Sequence, residues 1–445
     1  MACSDATEGA GAAAPAPGSS AGAASGRPPV PSPSPEFLAR EKRFYDVVAL
    51  KRPDRVPVVP LVTQYFPTRI QGVSNRDAGY DHAARFRCLK EAILRFDWDV
   101  APMTGVLPSP SLEALGATQV RWPGGNLPDD APFQWVEGEY MKADEVDAFL
   151  DDPDDFTVRT LFPRIASRFG ILEQLPLPPV WWLANMYFPL AWAPVLAAPP
   201  LRDLFRALAQ VGDDAEALMA AMGGYMGEMA AMGYPTIYVG VVIPPFDCVS
   251  DYYRSLRGST MDMFRQPDKL VAMADMILPT LIAQAVGAAR ASGNPRVFIP
   301  MHRGAGGFMS NEQYAKFYWP SFKALILGLI DEGITPLPLF EGDYTPRLEF
   351  LAELPPGKVA AHFDRIDRAR FKETCGDVLC FWGDVPGSML VTGTPQQVKD
   401  EVRRLIDLFG DTGALMIDGS NTVPDEAKPE NVMAMTEAVH EYGVF

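Results

Sequence analysis

A chain of 445 residues, 48% hydrophobic and 21% charged, is long enough to bury the core of one large α/β barrel or of two medium domains. Its formal net charge of −17 excludes nucleic acid and an anionic membrane surface as main partners, because both would repel it, and leaves a small molecule or a protein. The five cysteines, Cys3, Cys88, Cys248, Cys375 and Cys380, show no Cys-x-x-Cys spacing and read as reduced thiols of a cytoplasmic protein.

Residues Met1 to Pro35 are Ala, Gly, Ser and Pro with almost no large apolar side chain. Such a stretch cannot bury enough surface to offset its conformational entropy, so residues 1–35 are expected to be a disordered tail and 36–445 a single folded domain. The tail also lacks the basic start and apolar core of a secretory signal.

From Glu36 onward strand-like and helix-like stretches alternate, the pattern of a parallel sheet with crossover helices. Eight candidate strands follow in order: Val56 to Val62, Asp99 to Met103, Thr236 to Ile243, Arg296 to Met301, Ile334 to Phe340, Lys358 to Phe363, Val378 to Trp382, and Ala414 to Ile417. Eight is the number that closes a side-chain-filled (β/α)8 TIM barrel, which is the fold expected here.

Between strands two and three the chain carries a long elaboration, Leu107 to Tyr234, expected to cover the barrel mouth. It includes a charge-free run from Leu175 to Leu201 with Trp181, Trp182, Tyr187, Phe188 and Trp192, and its many prolines exclude a membrane span. That run reads as a buried irregular segment, or as an aromatic lid over a hydrophobic pocket. A Met/Ala-rich helix is expected from about Glu216 to Met232, with its methionines as core filler. Capping boxes at Ser310-Asn311-Glu312-Gln313 and Thr394-Pro395-Gln396-Gln397 mark two later helix starts.

In parallel α/β folds chemistry sits where the strands end and the helices begin. Strand five runs from apolar residues into Glu341-Gly342-Asp343-Tyr344, so Glu341 is the leading candidate. The other strand ends offer Gln64 and Tyr65, Asp247, His302 and Arg303, His362 and Asp364, Asp384, and Asp418 with Asn421. Two of only four histidines fall on this face, a set able to serve as acid and base or to bind a divalent metal. Each also has a structural reading: His302 as a cap on a carbonyl, Asp384 and Asp418 as turn residues, His362 as part of the wall.

Several motifs resemble the uroporphyrinogen decarboxylase superfamily. They are Arg52-Pro53-Asp54-Arg55-Val56-Pro57-Val58, Gly383-Asp384-Val385-Pro386, Gly393-Thr394-Pro395-Gln396-Gln397-Val398 and the tail Lys428-Pro429-Glu430-Asn431-Val432. The resemblance implies a (β/α)8 barrel with its site at the carboxyl ends of the strands. The chain departs from the tetrapyrrole decarboxylases, with Thr63-Gln64-Tyr65-Phe66-Pro67 in place of their Arg-Gln-x-Gly-Arg, Thr104-Gly105-Val106-Leu107 where they carry a catalytic Asp, and Gly419-Ser420-Asn421 for Gly-His-Gly. It is closer to the cobalamin-dependent methyltransferase branch, although Leu339-Phe340-Glu341-Gly342 replaces the zinc-binding His-x-Cys-Gly and Ser420 the later Cys.

The resemblance therefore implies transfer of a methyl group between a small organic compound and a corrinoid (cobalamin). A separate protein would supply the corrinoid, because no Asp-x-His-x-x-Gly motif is present. Glu341, His302 and Tyr344 would be catalytic; Gln64, Tyr65, Asp247, Arg303, Asp343 and Asn421 would bind substrate. Zinc or another divalent metal would be held by the oxygen and nitrogen set Glu341, His302, Asp364 and Asp418. The alternatives are a divergent carboxy-lyase acting on a small acid and a catalytically silent barrel.

Overall fold

The computed structural model describes residues 33–62, 65–103, 107–174 and 193–445. The tail as far as residue 32, Gln64, and the aromatic run from Trp181 to Trp192 lie outside the described residues. Residues 33–445 form one compact unit.

Six strands form a parallel sheet in chain order: Gly240–Val241, Arg296–Met301, Thr335–Asp343, Ala360–Arg365, Cys380–Trp382 and Leu415–Met416. Segments 56–62 and 99–103 complete it through isolated bridges, because Pro57, Pro60 and Pro102 have no N–H to give a ladder. Val59 N–H donates to Ile417 O at 2.9 Å, Asp99 N–H to Val58 O at 2.9 Å, and Ile237 N–H to Ala101 O at 3.0 Å. Hydrogen bonding thus passes from strand eight to one, to two and to three, and the (β/α)8 barrel expected from the alternation is closed.

Residue parity sorts the strands' side chains. Val59, Leu61, Val100, Ile237, Leu337, Leu339, Ala360, Cys380, Trp382 and Met416 fill the interior. Phe44, Val47 and Val48, from the helix Pro35–Val48, join this interior cluster. Val58, Val297, Ile299, Phe340, Ala361, Phe363, Phe381 and Ile417 belong to the larger cluster shared with the surrounding helices.

The helix in the elaboration runs Pro199–Ala231, much longer than the Glu216 to Met232 expected. Pro199 and Pro200 sit in its first turn, where a missing N–H costs nothing, and Leu201 and Leu204 are buried beside Phe169, Ile171 and Leu172. Its methionines are core filler only in part: Met229 is fully buried, whereas Met219 is 60% exposed. Both capping boxes form, at Ser310 and at Thr394. Among the described residues one helix is long and apolar enough to cross a membrane, Pro267–Ser292. Here it is the crossover between strands three and four, with Leu270, Met273, Ala285 and Ala289 buried.

Candidate active site

The parity that fills the interior continues past the strand ends and selects what reaches the mouth. Along strand five Leu337 and Leu339 point inward, so Glu341 is the next inward residue; on strand six Ala360 and His362 point inward, so Asp364 follows. On strand four the inward series through Phe298 leads to His302. Glu341, Asp364, His302, Arg303 and Asn421 all line a cavity of about 770 Å³ at this end of the barrel.

One wall comes from the elaboration. The antiparallel pair Val120–Arg121 and Gln134–Trp135 presents Phe133 and Trp135, packed edge to face at 6.4 Å, and the following residues add Glu137 and Tyr140. This wall is tied to the corner after strand three: Met141 N–H donates to Tyr253 O at 2.8 Å, Leu256 N–H to Glu137 Oε1 at 2.6 Å, and buried Arg254 bonds Glu139 and Asp262.

The helix Pro245–Val249 and the wide turn Ser250–Arg254 that continues it bring two carboxylates to the end of strand four. Asp247, fully buried, accepts the backbone N–H groups of His302 (2.8 Å) and Arg303 (3.1 Å) and the Tyr318 hydroxyl (2.8 Å). Asp251, one helical turn on, lies 2.5 Å from His302 Nδ1 and 3.0 Å from an Arg303 Nη2. Across the cavity His302 Nε2 is 3.9 Å from Glu341 Oε1.

Burial alone would depress the basicity of His302. The hydrogen bond that its Nδ1–H donates to Asp251 and the charges of Asp247 and Glu341 outweigh it and push the imidazole up to about 9, so it is cationic at neutral pH. Glu341 is raised by burial and by the nearby Asp364 and Asp251, against the lowering pull of His302 and Arg303. Burial pushes Asp247 up to about 7. A cationic imidazole facing a reluctantly ionised carboxylate is a proton donor opposite a proton acceptor.

Five of the expected site residues meet at the cavity, and others do not. Tyr344 lies past the register shift that ends strand five; it is fully buried in the cluster shared with the surrounding helices, edge to face with Phe340 at 4.7 Å, so it is a packing residue. Asp343 sits at a register shift in strand five and accepts Thr345 N–H at 2.9 Å, which turns it into a corner residue. Tyr65 is buried and Asp247 lies beneath the strand-four corner; neither lines the cavity.

Asp418 also parts from the others. It is fully buried one layer below the mouth, where it accepts Leu61 N–H (2.7 Å), Gly419 N–H (2.6 Å) and His362 Nε2 (2.9 Å). Asp364 spends one oxygen on Gly342 N–H at 3.0 Å. Among the described residues no three His, Cys, Asp or Glu side chains converge as a metal would require, so the expected quartet does not fit a metal.

The residue that sequence reasoning missed is Asp251. Its signal was present, because Asp247 and Asp251 stand at i and i+4 after a strand and so share one face of a helix. Trp135, Glu137 and Tyr140 carried no such signal, since a long loop between strands two and three has no period to reveal what it covers.

Comparison with known proteins now bears on this geometry. The uroporphyrinogen decarboxylase (URO-D) family model matches residues 186–442. A uroporphyrinogen decarboxylase of Pseudoalteromonas translucida is 26% identical over 140 residues, covering 31% of this chain and 39% of that protein. One from Pseudomonas fluorescens is 21% identical over 249 residues, 55% of this chain and 67% of that protein. The first match thus spans well under half of its relative's length. Among solved structures a methyltransferase from Methanosarcina mazei superposes with a TM-score of 0.59 at 14% identity, covering 91% of this chain and 98% of that one, which establishes the shared fold.

Proposed function

This chain belongs to the uroporphyrinogen decarboxylase family, and on that premise we propose that it moves a methyl group between a small organic compound and a corrinoid carried by a separate protein. The observation that carries the reading is the pair His302 and Glu341, 3.9 Å apart in a walled cavity, with the histidine held cationic. The structural likeness to a methyltransferase supports it.

A methyl group bound to oxygen or nitrogen leaves only when the charge that grows on that atom is neutralised. The C–O or C–N bond breaks, its electron pair stays on the heteroatom, and the Nε2 proton of His302 moves to that atom. The corrinoid, when its carrier is docked, supplies the nucleophile that accepts the methyl group. Glu341, as a carboxylate, accepts the hydrogen bond of the departing O–H or N–H, and after product release a proton taken up from water restores the charge of His302. Phe133, Trp135 and Tyr140 give the cavity an aromatic wall against which an apolar methyl compound can lie.

A tetrapyrrole polyacid is a poor candidate for this cavity. Glu137, Asp251, Glu341 and Asp364 line it against His302 and Arg303, so a substrate bearing many carboxylates would be repelled. A second reading, release of carbon dioxide from a small monoacid, draws on the same proton donor beside Arg303 and on the activity named for the curated relatives.

The test is incubation of purified protein with reduced free cobalamin or a corrinoid protein and a panel of methyl ethers and methylamines, wild type beside His302→Gln. Methyl transfer by the wild type that falls at least roughly 100-fold in the variant supports the proposal, since general acids contribute about 10²–10⁴. Carbon dioxide release from a small acid with no methyl transfer would replace it with the lyase reading.

A further inference from the structure

One helical turn exerts a double hold on the end of strand four. Asp247 and Asp251 grip the same two residues, Asp247 by their backbone N–H groups and Asp251 by their side chains. We propose that Asp251 is the positioning residue of this site, fixing the His302 ring through Nδ1 so that the Nε2–H faces Glu341 across the cavity. This rests on the reading of His302 as the proton donor.

A carboxylate that already faces a guanidinium accepts hydrogen bonds and donates none. A ring nitrogen 2.5 Å from Asp251 Oδ2 must therefore carry the hydrogen, and this decides the orientation, with Nδ1–H spent on Asp251 and Nε2 left toward the cavity. A ring with no anchor could turn about its side-chain bonds and offer Nδ1 to the substrate instead. The bond removes that freedom, as a partner on the far nitrogen does for a working histidine in general.

Asp251 is itself prevented from following the ring. Its other oxygen lies 3.0 Å from Arg303 Nη2, and the guanidinium is flanked by Glu137 at 3.9 Å and by the Phe308 face at 5.8 Å. The backbone under both residues is pinned by Asp247. Each part thus has one place to be, which is what preorganised proton transfer needs. The charged groups facing His302 are Asp251 and Asp247 from the corner after strand three, Glu341 from strand five, and Arg303 beside it.

Two readouts test this. The first is side-chain nitrogen NMR of the four histidines across pH, with the His302 signal assigned by His302→Gln; it needs no substrate. In the wild type both His302 ring nitrogens should stay protonated until about pH 9. In Asp251→Asn the ring should lose its proton at lower pH, and Asp251→Glu should restore part of the difference.

The second readout is kinetic, once methyl transfer is found. Asp251→Asn should lower kcat roughly 100-fold, within the range for acid–base groups, with KM moved less than about 3-fold, and bring the alkaline fall of kcat/KM to lower pH. If methyl transfer is never found, the functional reading falls while the NMR still judges the positioning role. An unchanged His302 titration in Asp251→Asn overturns that role whatever the reaction. Should Asp251→Asn not fold, the same shift to lower pH is required of Asp251→Ser, which removes the carboxylate and leaves a smaller side chain, and its absence there counts against the role equally.

Discussion

Asp418 offers the sharpest quantitative test, because its place one layer below the mouth turns a would-be ligand into a structural keystone. Replacing it with alanine strips the acceptor from Leu61 N–H, Gly419 N–H and His362 Nε2, all buried at 2.6–2.9 Å from its oxygens. Each orphaned buried donor costs roughly 1–3 kcal/mol, less what local relaxation recovers. We expect Asp418→Ala to lower the unfolding free energy by about 4 kcal/mol, and Asp418→Asn, which keeps one accepting oxygen, by about half as much. Equilibrium urea unfolding at neutral pH with an unchanged denaturant slope is the assay. A loss under about 1 kcal/mol for the alanine variant would refute the reasoning, because two orphaned buried backbone donors and a buried histidine stripped of its partner cannot cost so little.

Other expectations follow from the same geometry. The folded state holds His302 near 9 against an ordinary 6.5, so the stability it contributes is fully present below about pH 6.5 and is lost as pH rises through about 9. Denaturation midpoints of the wild type should fall across that window, while those of His302→Gln should change less; parallel curves would contradict the assignment. Gly304→Ala should cost about 1–3 kcal/mol, since the new methyl group would overlap the Tyr344 hydroxyl and come within 3.0 Å of the Tyr318 ring, both fully buried and unable to yield. A melting temperature equal to that of the wild type would show that the tyrosines move aside.

Much of this could be read from the sequence, and the reason is periodicity. Strand five alternates Leu337, Leu339 and Glu341 on one face with Phe340 on the other, so a barrel and its inward carboxylate are visible together. Tyr344 was beyond that rule, because the register shift between Phe340 and Asp343 breaks the alternation before it. Asp418 needed more than parity. It points inward like Glu341, yet strand eight meets strand one at a different height, and only the register of Val58 with Ile417 reveals that its rung lies beneath the mouth. The aromatic wall was illegible because loop residues owe their positions to distant partners, here Arg254, and to no local pattern.

The two halves of the barrel are held by different means, and this bears on where the chemistry sits. Strands four and five pair residue for residue from Arg296 with Thr335 to Met301 with Phe340, and strand six continues the ladder. His302 and Glu341 stand just beyond those last pairs, so their separation is inherited from regular backbone hydrogen bonding. Strand one contains Pro57 and Pro60, whose missing N–H groups break its ladder, and buried carboxylates accept the N–H groups of the residues that follow them, Val58 and Leu61. Asp99 takes Val58 N–H at 2.8 Å while paired with Arg43 and Arg55, and Asp418 takes Leu61 N–H. Side chains able to ionise are a softer fastening than a ladder, because their acceptor strength depends on pH and on their partners. The seam at strands eight, one and two is therefore the part of the barrel expected to loosen first. The acid–base pair lies on the opposite half, where that loosening reaches it last.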